Sequence, residues 1–269
     1  MITLKFIVNK DFILQHVLKH YSEHLPFIKL KRKVWGINKN LYQVLSQNLE
    51  PLIFDDGLAK GLPNAVLNLK SNLSVIYQTA EFKKIFYEAE RYSNTIKKQW
   101  IANYNISLFH LAAITKIDLS KINKEIKVYV SHPKLWRGRT YVENNAIAWS
   151  HPDEWKNYAT VYLWHEIMHH ITSRIPVAPH LMHALIELSC DNELRIRLNG
   201  SKKYFEENGI LMGHKYLVGL NRKLLPDWKK YLKNPNENIF QFEKKMRKKH
   251  HREELLKPRS RIIEWNEWH

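Results

Sequence analysis

The pentapeptide His165-Glu166-Ile167-Met168-His169 constrains the fold of this chain more than any other feature of its sequence. In an α-helix, residues four positions apart lie on one face, so both imidazoles can reach a single ion while Glu166 projects beside them. The H-E-x-x-H pattern therefore predicts a helix that carries two ligands of a zinc ion. A catalytic zinc ion usually has three protein ligands and one open position, so we expect a third ligand elsewhere in the chain.

A polar stripe follows the pentapeptide on a segment that is otherwise rich in Leu and Ile. His183, Glu187 and Asp191 recur every four residues, and burying them on one helix face would be costly unless they met an ion or another polar group. Glu187 is the first choice as third ligand, because Glu193 lies well around the helix from this stripe. Two interpretations stay open for His183, namely a place in the metal site and a hydrogen bond to a loop carbonyl.

Over roughly Asn145 to Arg195, the chain resembles the gluzincins, the thermolysin-like and aminopeptidase-like zinc metallopeptidases, and it looks like a divergent intracellular or phage-type member. The shared pattern is HExxH, a linker of about this length, and a Glu followed four residues later by Asp. The metzincin pattern is excluded, since Thr172 and Ile175 stand where it needs Gly and His. The gluzincin resemblance implies that the zinc ligands are His165, His169 and Glu187. It also implies that Glu166 is the general base and that Asp191 is the carboxylate that orients a zinc-bound imidazole.

The resemblance also implies groups that bind substrate. The segment 145–149 looks like the edge strand that lies above the zinc in this family, so Asn145 and Ala146 are expected to pair with an extended peptide. A Tyr or His downstream of the ligand helix usually supports the developing oxyanion. No spacing distinguishes the candidates for that role, which are Tyr204, His214 and Tyr216. The implied activity is zinc-dependent hydrolysis of peptide bonds in a peptide or protein substrate.

The spacing of apolar residues favours helices over strands. It predicts one or two amphipathic helices over 80–115, a helix from Ser150 or Pro152 to about Thr172, and a second ligand helix from about Pro179 to Asn199 that stops at Gly200. Strands are expected over 2–8, 127–131, 140–142 and 146–149.

The predicted fold class is α+β and mainly helical, with a small antiparallel-containing sheet beside the two zinc-binding helices of a metalloprotease-like (zincin) core. Three parts are expected along the chain. Residues 1-120 form a mainly helical N-terminal region, and residues 121-200 form a zincin core with the edge strand and both ligand helices. Residues 201-269 form a basic helical C-terminal region.

The chain is strongly basic, with 43 Lys and Arg against 26 Asp and Glu and a net charge of +17. Basic residues cluster at Lys29–Lys33 and from Lys244 to Arg261, with Trp265 and Trp268 beyond. Such a surface attracts polyanions. The alternative function is therefore a nucleic-acid-associated protein with a zincin fold, which either cleaves proteins bound to nucleic acid or uses its zinc only structurally.

The remaining composition indicates a cytoplasmic location. One cysteine, Cys190, forms no internal disulfide, which suits a reducing compartment. No uninterrupted apolar run reaches the roughly 18 residues of a spanning helix, and we expect neither an export signal nor membrane association.

Overall fold

The computed structural model describes residues 1–47, 49–55, 68–135 and 137–250, which are mainly helical and include a small mixed sheet. The chain divides into two units whose segments alternate in sequence. We call them the sheet unit, Ile2–Lys98 with Lys124–Pro152, and the helical unit, which contains Met1, Gln99–Asn123 and the chain from Asp153 onward.

The sheet unit contains a four-stranded sheet with the order β1-β2-β4-β3. Its strands are β1 (Ile2–Ile7), β2 (Lys124–Val130), β3 (Arg137–Tyr141) and β4 (Ala146–Ser150). The first three neighbours in space, β1, β2 and β4, run parallel, and β3 runs antiparallel to β4. The predicted strands and the antiparallel pair are confirmed.

The expectation of an open edge strand at 145–149 is wrong, because β4 is paired on both sides. Ile147 lies opposite Val128 of β2 and also opposite Thr140 of β3. Asn145, with a positive φ of 45°, closes the turn that folds β3 back onto β4, and its carbonyl accepts a hydrogen bond from the Lys127 amide. The backbone of Asn145 and Ala146 is therefore committed to the sheet, and β3 forms the edge.

Short helices surround a hydrophobic core in the sheet unit. Asparagine side chains cap two of them: Asn9 accepts from the Phe12 amide and Asn38 from the Leu41 amide, both at 3.0 Å, and such caps contribute about 1 kcal/mol each. The helices of this unit are α1 (Lys10–Lys19), α2 (Leu25–Ile37), α3 (Lys39–Leu45), α4 (Glu50–Asp55), α5 (Leu69–Gln78) and the beginning of α6 (Ala80–Thr115).

The helical unit contains the H-E-x-x-H motif. Its elements after the end of α6 are α7 (Tyr158–Thr172), α8 (Pro179–Glu187), a π-helical segment (Leu188–Leu194), α9 (Arg195–Asn199), a hairpin of β5 (Glu206–Glu207) and β6 (Ile210–Leu211), α10 (Val218–Lys233) and α11 (Ile239–Lys249). The predicted basic run beyond His250, with Trp265 and Trp268, lies outside the described residues. None of the described helices combines the length and the hydropathy that a bilayer crossing needs.

The motif helix α7 begins later than the sequence predicts. Ser150 belongs to β4 and does not cap a helix. Asn157 precedes α7 in the left-handed region, with a φ of 62°, and the Thr160 amide in the first turn donates to Oε1 of Gln99 at 3.0 Å. Trp164 is fully buried and donates its indole N–H to Ser107 Oγ at 2.7 Å. These contacts to α6 fix the rotation of α7 and therefore the direction of its histidines.

Candidate metal centre

The two motif histidines converge on one point, as the helical spacing requires. Nε2 of His165 and Nε2 of His169 lie 3.2 Å apart. Two nitrogens that bind one tetrahedral zinc ion at its usual bond length are separated by about 3.3 Å. The pair is thus already spaced as two ligands of a single ion.

A buried carboxylate sets the orientation of His165. Nδ1 of His165 lies 2.9 Å from Oδ1 of Asp191, and Asp191 is fully buried. Because a carboxylate only accepts, Nδ1 of His165 donates this hydrogen bond, and Nε2 is the nitrogen that faces His169. Burial alone would lower the pKa of His165, but Asp191 reverses this effect and raises it to about 9. Metal-binding histidines are commonly held by a carboxylate in this way.

His183 of α8 joins this pair, which favours the first of its two predicted interpretations. Its ring centroid lies 5.3 Å from that of His165 and 4.7 Å from that of His169. Ligand nitrogens of the three histidines all lie within 4.8 Å of one another. Burial and the neighbouring histidines hold the pKa of His169 and of His183 well below the usual range. Both rings are therefore neutral, which is the form that binds metals.

Glu187 lies one turn further along α8 and is fully buried. Its Oε1 accepts from the backbone N–H of His214 at 2.7 Å and from Nδ1 of the same residue at 2.6 Å. Its Oε2 accepts from Nδ2 of Asn221 at 2.5 Å. Glu187 groups with His183 and His214 as potential ligands, whereas the group around His165 and His169 is completed by His183.

The loop before α10 is pressed against this carboxylate. Gly213 has a φ of 77°, and a Cβ atom there would lie 2.6 Å from Oε2 of Glu187. A glycine is needed for the backbone conformation and for the close approach alike. Neither Gly213 nor Asn221 carries a signal in the sequence that could have identified it.

The predicted second ligand helix is interrupted after Glu187 by the π-helical segment Leu188–Leu194. Nδ2 of Asn192 donates to the carbonyl of Glu187 at 3.0 Å, and its Oδ1 accepts from the Phe205 amide at 2.6 Å. Wide turns of this kind occur often at functional sites. Here the segment begins directly after Glu187, which contacts His214, and it contains Asp191, which contacts His165.

The three candidates for oxyanion support occupy different places. The His214 ring centroid lies 4.6 Å from that of His183, and the Tyr216 hydroxyl lies 3.5 Å from Nδ1 of His183. Burial and Glu187 raise the pKa of Tyr216 to about 12, so its hydroxyl stays protonated. The Tyr204 hydroxyl instead donates to Glu193, which also pairs with Arg197. His214 and Tyr216 therefore remain candidates, and Tyr204 is better explained as a structural residue.

A second histidine and glutamate group, in the sheet unit, is built differently. Nδ1 of His24 lies 3.2 Å from the Lys134 ammonium, and Nδ1 of His132 accepts from the Lys134 amide at 3.2 Å. A neutral ring that accepts at Nδ1 has its proton on Nε2. Nε2 of His132 lies 2.9 Å from Oε2 of Glu88, so the imidazole nitrogens of this group are engaged in a hydrogen-bond network.

A third group, His16, His20 and Glu50, lies in the sheet unit and already contacts a positively charged side chain, that of Lys19. The Lys19 ammonium lies 2.8 Å from Oε1 of Glu50. A divalent ion there would compete with this charge. Among the described residues, the cluster around His165 is therefore the site best suited to a metal ion.

A scan against protein-family models and searches of curated proteins and of solved structures give no match for this chain. The type of metal that suits the site is therefore inferred from its donor atoms alone. Imidazole nitrogens with a nearby carboxylate suit zinc and other late divalent metals. The orientation of His165, which Asp191 holds, and the spacing between Nε2 of His165 and Nε2 of His169 fit such an ion.

Proposed function

We propose that the protein is a zinc-dependent metallopeptidase in which α7 and α8 are the two zinc-binding helices of a zincin core. One observation carries the proposal: Nε2 of His165 and Nε2 of His169 lie 3.2 Å apart while Asp191 holds the opposite nitrogen of His165. His165, His169 and a third side chain of α8 hold the ion in this proposal. When bound, zinc supplies a Lewis acid that polarises the scissile carbonyl and acidifies water.

The chain's own residues supply the proton transfers. Glu166 follows His165 on α7 and is half-buried, and it is close enough to raise the pKa of His165. We assign it as the general base that takes a proton from the attacking water and passes it to the amine as the C–N bond breaks. We assign Tyr216 as the donor of a hydrogen bond to the oxygen that gains charge, because the Nδ1 proton of His214 is already donated to Glu187.

The Glu166→Gln substitution tests this assignment, because it keeps the size of the side chain and removes the base. We expect the variant to retain zinc and to lose at least ~100-fold in hydrolysis. The substrate probe is a peptide library prepared from a digested proteome, with cleavage read by mass spectrometry and zinc by elemental analysis. Equal cleavage by variant and wild type, or no cleavage by a wild-type chain that holds one zinc, would refute the peptidase.

A second function, binding of single-stranded nucleic acid, is favoured by one surface of the sheet unit. Lys29, Arg32 and Trp35 are exposed on α2, and the Lys39 ammonium lies 5.6 Å from the centroid of the Trp35 ring. Basic side chains beside an exposed aromatic ring are typical of surfaces on which bases stack. Filter binding across a salt titration tests this candidate, and an affinity independent of salt would contradict it.

A further inference from the structure

One turn of α8 presents two side chains that compete for the third ligand position. His183 and Glu187 are four residues apart, and Nε2 of His183 lies 3.9 Å from Oε1 of Glu187. A zinc ion can take either an imidazole or a carboxylate. The hydrogen bonds of the two side chains differ, and this difference distinguishes them.

The carboxylate of Glu187 is already held by three donors. It accepts two hydrogen bonds from His214 and one from Asn221, at 2.5 to 2.7 Å. No close group of potential ligands among the described residues contains Glu187 together with His165 and His169, so binding their ion would draw the carboxylate away from these donors. A buried carboxylate that loses such partners is strongly destabilised.

Nε2 of His183, by contrast, is buried without a hydrogen-bond partner. It belongs to the group whose nitrogens lie within 4.8 Å of one another, together with His165 and His169. A buried polar atom in a native protein normally has a partner, which here would be an ion. The other nitrogen, Nδ1, faces the hydroxyl of Tyr216 at 3.5 Å.

Glu187 has a role of its own that parallels that of Asp191. Each carboxylate contacts Nδ1 of one histidine, Asp191 at 2.9 Å from His165 and Glu187 at 2.6 Å from His214. In both rings the proton is thereby held on Nδ1. Glu187 thus fixes the direction of the His214 ring, which lies against the ring of His183.

We propose that His183 supplies the third protein ligand of the metal and that Glu187 is a positioning residue that holds His214 beside the ion. Three imidazoles with an open fourth position form a known catalytic zinc set. The proposal deepens the function proposed above and rests on its zinc site, but it does not depend on the identity of the substrate.

The test measures zinc binding rather than activity. Wild type is compared with His183→Ala, Glu187→Gln and the control His180→Ala, which makes the same change one turn earlier on α8. Zinc affinity is measured by competition with a chromophoric chelator, and folding by circular dichroism. We expect His183→Ala to lose at least 100-fold in affinity, Glu187→Gln to stay within tenfold because glutamine keeps an acceptor for His214, and His180→Ala to match wild type.

X-ray absorption of the zinc-loaded wild type provides a measurement that needs no variant. Three imidazoles bound to zinc support the proposal, and two imidazoles with a carboxylate overturn it. Loss of zinc from Glu187→Gln together with its retention by His183→Ala overturns it as well. A wild type that holds zinc through three imidazoles but cleaves no peptide would refute the peptidase and leave this ligand assignment standing.

Discussion

Replacing Gly213 with alanine tests how tightly the loop before α10 holds the Glu187 carboxylate. The chain offers a matched control at Gly209, in the turn between β5 and β6. Both glycines have positive φ angles, 77° and 81°, but a Cβ atom at Gly209 would meet nothing within 4 Å. A Cβ atom at Gly213 would lie 2.6 Å from Oε2 and 2.8 Å from Cδ of Glu187.

The expected magnitudes follow from these two environments. An alanine in the left-handed region costs about 1 kcal/mol, so Gly209→Ala should lower the free energy of unfolding by that amount. Gly213→Ala carries the same cost and also forces the carboxylate away, from 2.6 Å to at least the 3.4 Å of ordinary contact. Losing one charged hydrogen bond, to His214 or Asn221, adds about 2 kcal/mol. We therefore expect a total loss of about 3 kcal/mol for Gly213→Ala.

Urea unfolding followed by tryptophan fluorescence, in buffer without metal, gives both free energies. Removing metal separates the packing of the carboxylate from any stabilisation by a bound ion. The same slope against urea in both variants would show that only native-state stability has changed. An equal loss in the two variants would refute the reasoning, because backbone strain alone would then explain both.

Two further predictions concern carboxylates that hold histidines. Asp191→Ala removes the acceptor that keeps a proton of His165 on Nδ1, and we expect zinc affinity to fall about 10- to 100-fold, measured by chelator competition; unchanged affinity would contradict this role. Burial opposes ionisation of Glu50, but hydrogen bonds from His16 and Lys19 lower its pKa from 4.5 to about 2. Its stabilisation, of the order of 3 kcal/mol, is therefore complete above pH 4.5 and lost as the pH falls toward 2. Glu50→Gln should be less stable than wild type in urea at pH 7, and a difference that persists at pH 2 would contradict this sign.

Most of the regular elements could be predicted from the sequence, because local periodicity determines them. The helix over 80–115, the strands around Val128 and Ile147, and the stop at Gly200, whose φ is 71°, all appear where the pattern indicates. The predicted start of α7 was wrong, because the observed first turn depends on a hydrogen bond to Gln99, which is distant in the sequence. The predicted edge strand was wrong because pairing on its second side depends on β3, whose fold-back is set by the turn at Asn145.

In the candidate site, too, the features set by local spacing could be predicted from the sequence, and those set by distant contacts could not. The convergence of His165 and His169 follows from helical spacing alone, and the contact of Asp191 with His165 matches the role implied by the gluzincin resemblance. The partners of Glu187 could not be predicted, because His214 and Asn221 lie 27 and 34 residues further along the chain. Only the folded loop brings them to it, and no local pattern encodes that contact.

The π-helical segment Leu188–Leu194 also limits how this protein can change its length. A wide turn holds about one residue more than the α-helical turn it replaces. Deleting one residue there would restore ordinary helical hydrogen bonding and leave the downstream residues close to their present direction, because the wide turn already contains the extra residue. The same deletion within α8 would rotate everything downstream by about 100°, including Arg195, which joins this segment to the hairpin through Glu207. A one-residue deletion is therefore more tolerable in this segment than in α8.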